Sequence, residues 1–178
     1  MKNKAIMTSQ GKNDECYTKS YGVEPLLEFL PRFKDKIIWC PFDTDESEFV
    51  KIFKANGYNV VNSHIKYGQD FYIYEPEKWD LIISNPPFTN KAGTFMRACS
   101  FKKPFALLMD IAWLNDTTPC KIFKNYRLEL LLFKDRMTFK NQPQKGINFK
   151  SVYFCHDFLP NQIEIRDFNY GQQKLFNN

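Results

Sequence analysis

Six short apolar runs, each bounded by proline, glycine or polar residues, alternate along the chain with stretches patterned for helix. They are Lys36–Cys40, Tyr58–Val61, Trp79–Ile83, Pro104–Met109, Leu128–Phe133 and Ser151–Cys155. Their length is that of strands, and their nearly continuous apolar character is that of strands covered on both faces. Between them, Val23–Leu30 puts Leu26, Leu27 and Leu30 on one helical face before Pro31 stops it. The spacing of Phe49, Val50, Ile52 and Phe53 predicts a helix over Asp45–Asn56, closed by Gly57. Two more helices are predicted, over Ala92–Ser100 and Lys121–Tyr126. Strand and helix taking turns predicts an α/β fold, a mostly parallel sheet with helices on both faces. Ligands in such sheets sit beyond the C-terminal ends of the strands.

A length of 178 residues favours one domain spanning 1–178. No apolar run approaches the roughly 20 residues of a membrane span, so no membrane partner is expected. The polar segment 1–14 has no signal-peptide apolar region and is expected to be flexible. Five scattered cysteines, with no C-x-x-C pair, argue against a zinc cluster and a disulfide framework. Reduced thiols in the cytoplasm are the expectation, and no metal ligand set is recognised.

The net charge of +5 comes from one place. Residues 1–120 balance 15 basic side chains against 15 acidic ones. Residues 121–150 hold Lys121, Lys124, Arg127, Lys134, Arg136, Lys140, Lys145 and Lys150 against only Glu129 and Asp135. Such a stripe suits a phosphate backbone, with an affinity that falls as salt rises. It equally suits a solvated face that keeps the protein soluble.

The sharpest local feature is Ser84-Asn85-Pro86-Pro87-Phe88, directly after an apolar run. Two prolines fix their own φ angles and hold the residues before them extended. Asn85 and nearby backbone carbonyls are thereby aimed rigidly at a ligand. Carbonyl acceptors in a pair suit an exocyclic amine, which has two N–H donors to give. Holding those hydrogens localises the nitrogen lone pair and stabilises positive charge that develops when the amine attacks. Phe88 adds a flat apolar face for a planar group. The plainer reading of the same residues is a Pro-Pro turn that closes a strand.

This segment resembles the N/D/S-P-P-Y/F motif of S-adenosylmethionine-dependent amino methyltransferases, chiefly those acting on adenine in DNA. The resemblance implies a Rossmann-like methyltransferase fold with an antiparallel C-terminal hairpin strand, formed by the stretch from Phe133 to Phe154. It implies S-adenosyl-L-methionine as cofactor, DNA as a partner in preference to RNA, and Asn85, Pro86, Pro87 and Phe88 as catalytic residues. Tyr17 and Thr18 resemble the segment that folds over the cofactor's methionine end, with Lys19 where the family often has proline. Asp70 and Phe71 resemble the acidic-aromatic pair beside the cofactor adenine. The stretch from Phe105 to Trp113-Leu114-Asn115 resembles the wall of the target pocket. Lys134, Arg136, Lys140, Lys145 and Lys150 would hold phosphates. Small chains of this pattern occur in bacteriophages, which makes a phage or prophage origin and a bacterial host's cytoplasm the expectation.

One departure stands out. The family's loop after the first strand reads D/E-P-x-x-G-x-G, which lets the backbone approach the ligand closely. Here it reads Cys40-Pro41-Phe42-Asp43-Thr44-Asp45-Glu46. Both glycine positions are filled, and Asp43 or Asp45 would have to replace the leading acid. Cys40, Pro41, Phe42 and Asp43 remain the candidate cofactor loop, with Asn85 beside it. The acid expected after the second strand falls near Ser63-His64, where His64 is either a ribose-hydroxyl partner or a surface histidine. Three functions therefore stay open: adenine methylation in nucleic acid; a catalytically decayed relative that binds nucleic acid or a host factor; or methylation of RNA adenine or protein glutamine.

Overall fold

The computed structural model describes residues 17–140 and 150–168. The expectation of flexibility over 1–14 and the phosphate role of Lys145 lie outside these residues. The strands are β1 (Ile37–Cys40), β2 (Asn59–Asn62), β3 (Leu81–Ser84), β4 (Phe105–Asp110), β5 (Glu129–Phe133), β6 (Ser151–His156) and β7 (Ile163–Arg166). They form one sheet in the order β2-β1-β3-β4-β6-β5-β7. All neighbours pair in parallel except β6, which runs antiparallel to both β4 and β5. The sheet is thus mostly parallel with one reversed strand near its C-terminal end, an arrangement consistent with a Rossmann-like fold.

Side chains alternate strictly across the sheet, as a period of two requires. Ile38, Cys40, Leu81, Ile83, Ala106, Leu108, Tyr153 and Cys155 enter one core. Trp39, Ile82, Phe105, Leu107, Met109, Val152 and Phe154 enter the other. The helices α1 (Ser20–Val23) and α2 (Glu48–Ala55) contribute Val23, Phe49, Val50 and Phe53 to the first core. The helices α3 (Lys91–Ser100) and α4 (Thr117–Phe123) contribute Phe95, Ala98, Cys99 and Phe123 to the second. Helices therefore cover both faces. No helix among the described residues is long and apolar enough to cross a membrane.

Local chemistry sets the helix limits. In α2, Ser47 caps the start by accepting from Phe49 N, and Gly57 follows the end with φ at 75°. Asp45 and Glu46, expected within that helix, lie in the turn before it. The helix expected over Val23–Leu30 is instead one turn of α-helix followed by a 3-10 segment, Glu24–Glu28. Pro25 is the physical reason, because it has no N–H to continue the α-helical ladder. Similarly, α4 begins at Thr117 rather than Lys121, with Pro119 in its first turn, where a missing N–H does no harm. The edge strand β7 was not foreseen; its signal, Ile163 and Ile165 in alternation, is too short to stand out.

Candidate functional site

The chain leaves β1 for β2 on one side, then crosses to β3 on the other, so the sheet's topological switch point lies between β1 and β3. A crevice at that point is where ligands of open α/β sheets bind. Three loops meet there: Pro41–Asp43 after β1, Ser63–His64 after β2, and Asn85–Phe88 after β3.

The loop after β1 manages its turn without glycine. Ser63 N donates to Cys40 O at 3.1 Å, and Asp43 N donates to Ser63 O at 3.1 Å. The backbone thus continues the β1–β2 ladder past both strand ends. Ser63, fully buried, also takes the Trp39 indole N–H on its hydroxyl at 2.9 Å. Nothing in its sequence context marks Ser63 out for this role. Cys40 is buried against the α2 side of the sheet, where burial pushes its thiol well above the usual range and keeps it protonated. Pro41 is buried beside it.

Asp43, 7% exposed, turns inward from the loop after β1. Its carboxylate accepts from Ser47 at the start of α2 and from Ser84 at the end of β3. It therefore joins the loop after β1 to the strand that carries Asn85. Burial raises its carboxyl to about 6, although both serine hydroxyls favour the ionised form. Asp45, the other candidate for the lost acid, faces outward and pairs with Lys54.

Phe42 and Phe71 come together, with ring centroids 4.8 Å apart. Phe71 is enclosed, also touching Trp39 and Phe101, while Phe42 is half-buried and is the outer ring of the two. Asp70 accepts from Tyr72 N at 3.0 Å and so shapes the turn that carries Phe71. His64 accepts from Lys66 N through Nδ1 at 3.0 Å, capping the turn Ile65–Tyr67. That bond fixes the proton of a neutral ring on Nε2.

Asn85 is half-buried after β3, and its amide nitrogen donates to the Thr18 hydroxyl at 3.2 Å. The carbonyl oxygen Oδ1 is thereby turned the other way and is itself buried. Pro86 is buried, and Pro87 holds extended backbone at φ −61° and ψ 140° before the turn Phe88–Asn90. Phe88 is half-buried against the α3-side core. Asn90 caps α3 by accepting from Gly93 N at 3.2 Å.

The segment from Tyr17 is built into the site by the stretch that follows β5. Thr18 bridges Phe139, and Lys140 N donates to Tyr17 O at 2.9 Å. Thr138 N donates to the Tyr21 hydroxyl at 2.7 Å, and Lys19 donates to Thr138 Oγ1 at 2.8 Å. Tyr21 and Thr138 were not singled out from the sequence.

The basic segment is divided in space. Arg127 precedes β5 and its carbonyl meets His156 at the end of β6, so it lies at the sheet edge opposite the crevice. Lys134 and Arg136 follow β5 and Lys150 precedes β6, which puts them at the crevice edge. Lys140 pairs with Glu48 of α2 at 2.6 Å. Trp113 is buried against Phe95 and Phe154, centroids 5.0 and 5.9 Å away.

Compared with protein-family models the chain matches none, and comparison with curated proteins finds no match either. The structure defines an α/β protein whose seven-stranded, mostly parallel sheet brings Asp43, Thr18 and Asn85-Pro86-Pro87-Phe88 together at its topological switch point.

Proposed function

We propose that this protein transfers a methyl group from S-adenosyl-L-methionine to the exocyclic amine of adenine in nucleic acid, DNA in preference to RNA. The observation that carries this reading is the position of Asn85-Pro86-Pro87-Phe88. It follows β3 at the topological switch point, with the Asn85 amide oriented by Thr18.

The groups gathered at the crevice suit the cofactor in kind. Phe42, backed by Phe71, offers an aromatic edge for the adenine. Thr18, Asn62 (which donates to Asp43 O at 3.3 Å) and the backbone after β1 offer hydrogen-bonding groups for ribose and the amino-acid end. Bound there, S-adenosylmethionine would supply an electrophilic methyl on a sulfonium. The chain's own residues would act on the target base. Asn85 and the Pro86 carbonyl would accept the two amine hydrogens once the side chain opens Oδ1 to the base, Phe88 would pack on the flipped ring, and the prolines would limit the loop's freedom. The amine proton leaves to solvent after transfer. Lys134, Arg136 and Lys150 supply positive charge for the phosphates at the same edge.

One observation favours a second reading, that of a decayed relative which binds nucleic acid without chemistry. Asp43 is buried and bonded to Ser47 and Ser84, in the loop where the family has glycines that let the cofactor approach. Calorimetric titration with S-adenosylmethionine and its demethylated product separates the two. Micromolar binding by either supports the enzymatic reading. Folded protein that binds neither, with nucleic acid absent or present, moves the assignment to the second. Mass spectrometry of the methylated product then distinguishes adenine in DNA from adenine in RNA and from protein glutamine.

A further inference from the structure

Where β6 begins, beside the ends of β4 and β5, the sheet edge holds a cavity of about 400 Å³. Its inner lining is apolar: Val152 is buried, and Ile111 and Leu132 are half-buried. Its outer lining is exposed and charged, with Lys134, Arg136 and Lys150 against the single carboxylate of Asp135. Lys134 also lies 3.8 Å from Asp167, but both are largely exposed, and a phosphate can displace so weak a pair. The Ser151 side chain alternates with that of Val152 and is turned to the other face of the sheet, where it is buried.

These two features call for one kind of ligand. An apolar floor takes a planar uncharged group, and a cationic rim takes an anion. A nucleotide has both: a base and a phosphate. The cavity is also correctly placed. β6 stands two strand spacings from β3, with β4 between, which is about 10 Å along the same sheet edge as Asn85. One strand of nucleic acid can therefore engage both places. A base enters such a cavity only when it is unstacked and unpaired.

We propose that this cavity is a second nucleotide subsite. It takes a base near the target in the same strand, holds the phosphate on Lys134, Arg136 and Lys150, and selects single-stranded or locally opened nucleic acid. The proposal rests on the reading that the protein acts on nucleic acid. It reads at most one neighbouring base, which gives a short sequence context and not an extended recognition site.

The test is fluorescence anisotropy with the full chain and no cofactor. The probes are labelled oligothymidylate, oligodeoxyadenylate, a duplex and an abasic deoxyribose-phosphate strand of equal length. Base-bearing single strands are expected to bind about tenfold more tightly than the abasic strand, the size of burying part of a base's flat face on an apolar floor. The double variant Lys134→Glu/Arg136→Glu is expected to weaken every single strand at least about tenfold and to lower the salt slope by roughly two. Lys124→Glu/Arg127→Glu, from the same stretch of sequence but leading into β5 at the opposite edge, is expected to change binding by less than about threefold. Leu132→Trp fills the floor and should erase the preference for base-bearing strands while phosphate binding persists.

Equal affinity for abasic and base-bearing strands would overturn the subsite, as would equal losses in the two charge variants. Both results leave methyl transfer itself untouched. Failure of cofactor binding, conversely, would sink the methyl-transfer reading and leave this pattern of strand binding intact.

Discussion

The Asn85 amide donates to the Thr18 hydroxyl at 3.2 Å, so the turn after β3 is steadied by a residue 67 positions earlier. Thr18 is in turn bridged to Phe139, beyond β5. If the protein transfers methyl groups as proposed, Thr18 acts as a positioning residue for Asn85. Thr18→Val should lower kcat roughly tenfold with little change in KM for nucleic acid, because a loosened acceptor loses alignment. Thr18→Ser, which keeps the hydroxyl, should restore most of the rate. A Val variant as fast as the parent would remove Thr18 from the site.

Asn85→Ala removes the acceptor itself. If Asn85 holds the amine as it turns positive, methylation of a proven substrate should fall roughly 10²-fold or more. Binding of S-adenosylmethionine, followed by calorimetry on the same preparation, should change far less. A rate within about threefold of the parent would show that the acceptor lies elsewhere.

Asp43 gives the molecule a pH signature. Its carboxyl is raised from 3.8 to about 6 by burial, so the folded state holds the proton more tightly than the unfolded state does. Its contribution to stability is therefore greatest below pH 4 and is lost as pH rises from about 4 to about 6. Converted by the usual 1.36 kcal/mol per unit, the loss is on the order of 3 kcal/mol. Asp43→Asn, which keeps hydrogen bonding to Ser47 and Ser84, should flatten that part of the profile. Urea unfolding of both proteins across pH 4 to 7 measures the difference; parallel profiles would mean that Asp43 is not held this way.

Glu129 carries a structural burden at the opposite edge. It is 1% exposed, and its Oε2 accepts from Phe158 N at 2.9 Å and Leu159 N at 2.8 Å. Glu129→Ala leaves two buried N–H groups without a partner, a loss of roughly 3 kcal/mol. Thermal unfolding should shift down by roughly 6 to 12 °C. Glu129→Gln keeps an acceptor and should shift it less.

Much of this was legible in the chain, for identifiable reasons. All six apolar runs are strands, displaced by no more than two residues, because a strand buried on both faces announces itself without help from its neighbours. Asn85-Pro86-Pro87-Phe88 was placed correctly at a strand end because prolines act locally. What stayed hidden was long-range or compensatory. Pro25 divides a helix that Leu26, Leu27 and Leu30 pattern well. The bonds of Ser63 to Cys40 and Asp43 join loops twenty residues apart, and only the folded ladder reveals them. The basic segment reads as one stripe, but β5 runs through it and sends Arg127 and Lys134 to opposite edges.

The reversed strand β6 also dictates the order in which the sheet can be completed. β5 touches only β6 and β7, and both follow it in the chain. A ribosome delivering residues in sequence releases β4 with a bare edge and β5 with no strand to join. Both wait until Ser151–His156 emerges and slots between them. The strand written after both is the piece that turns two unfinished borders into the interior of one sheet.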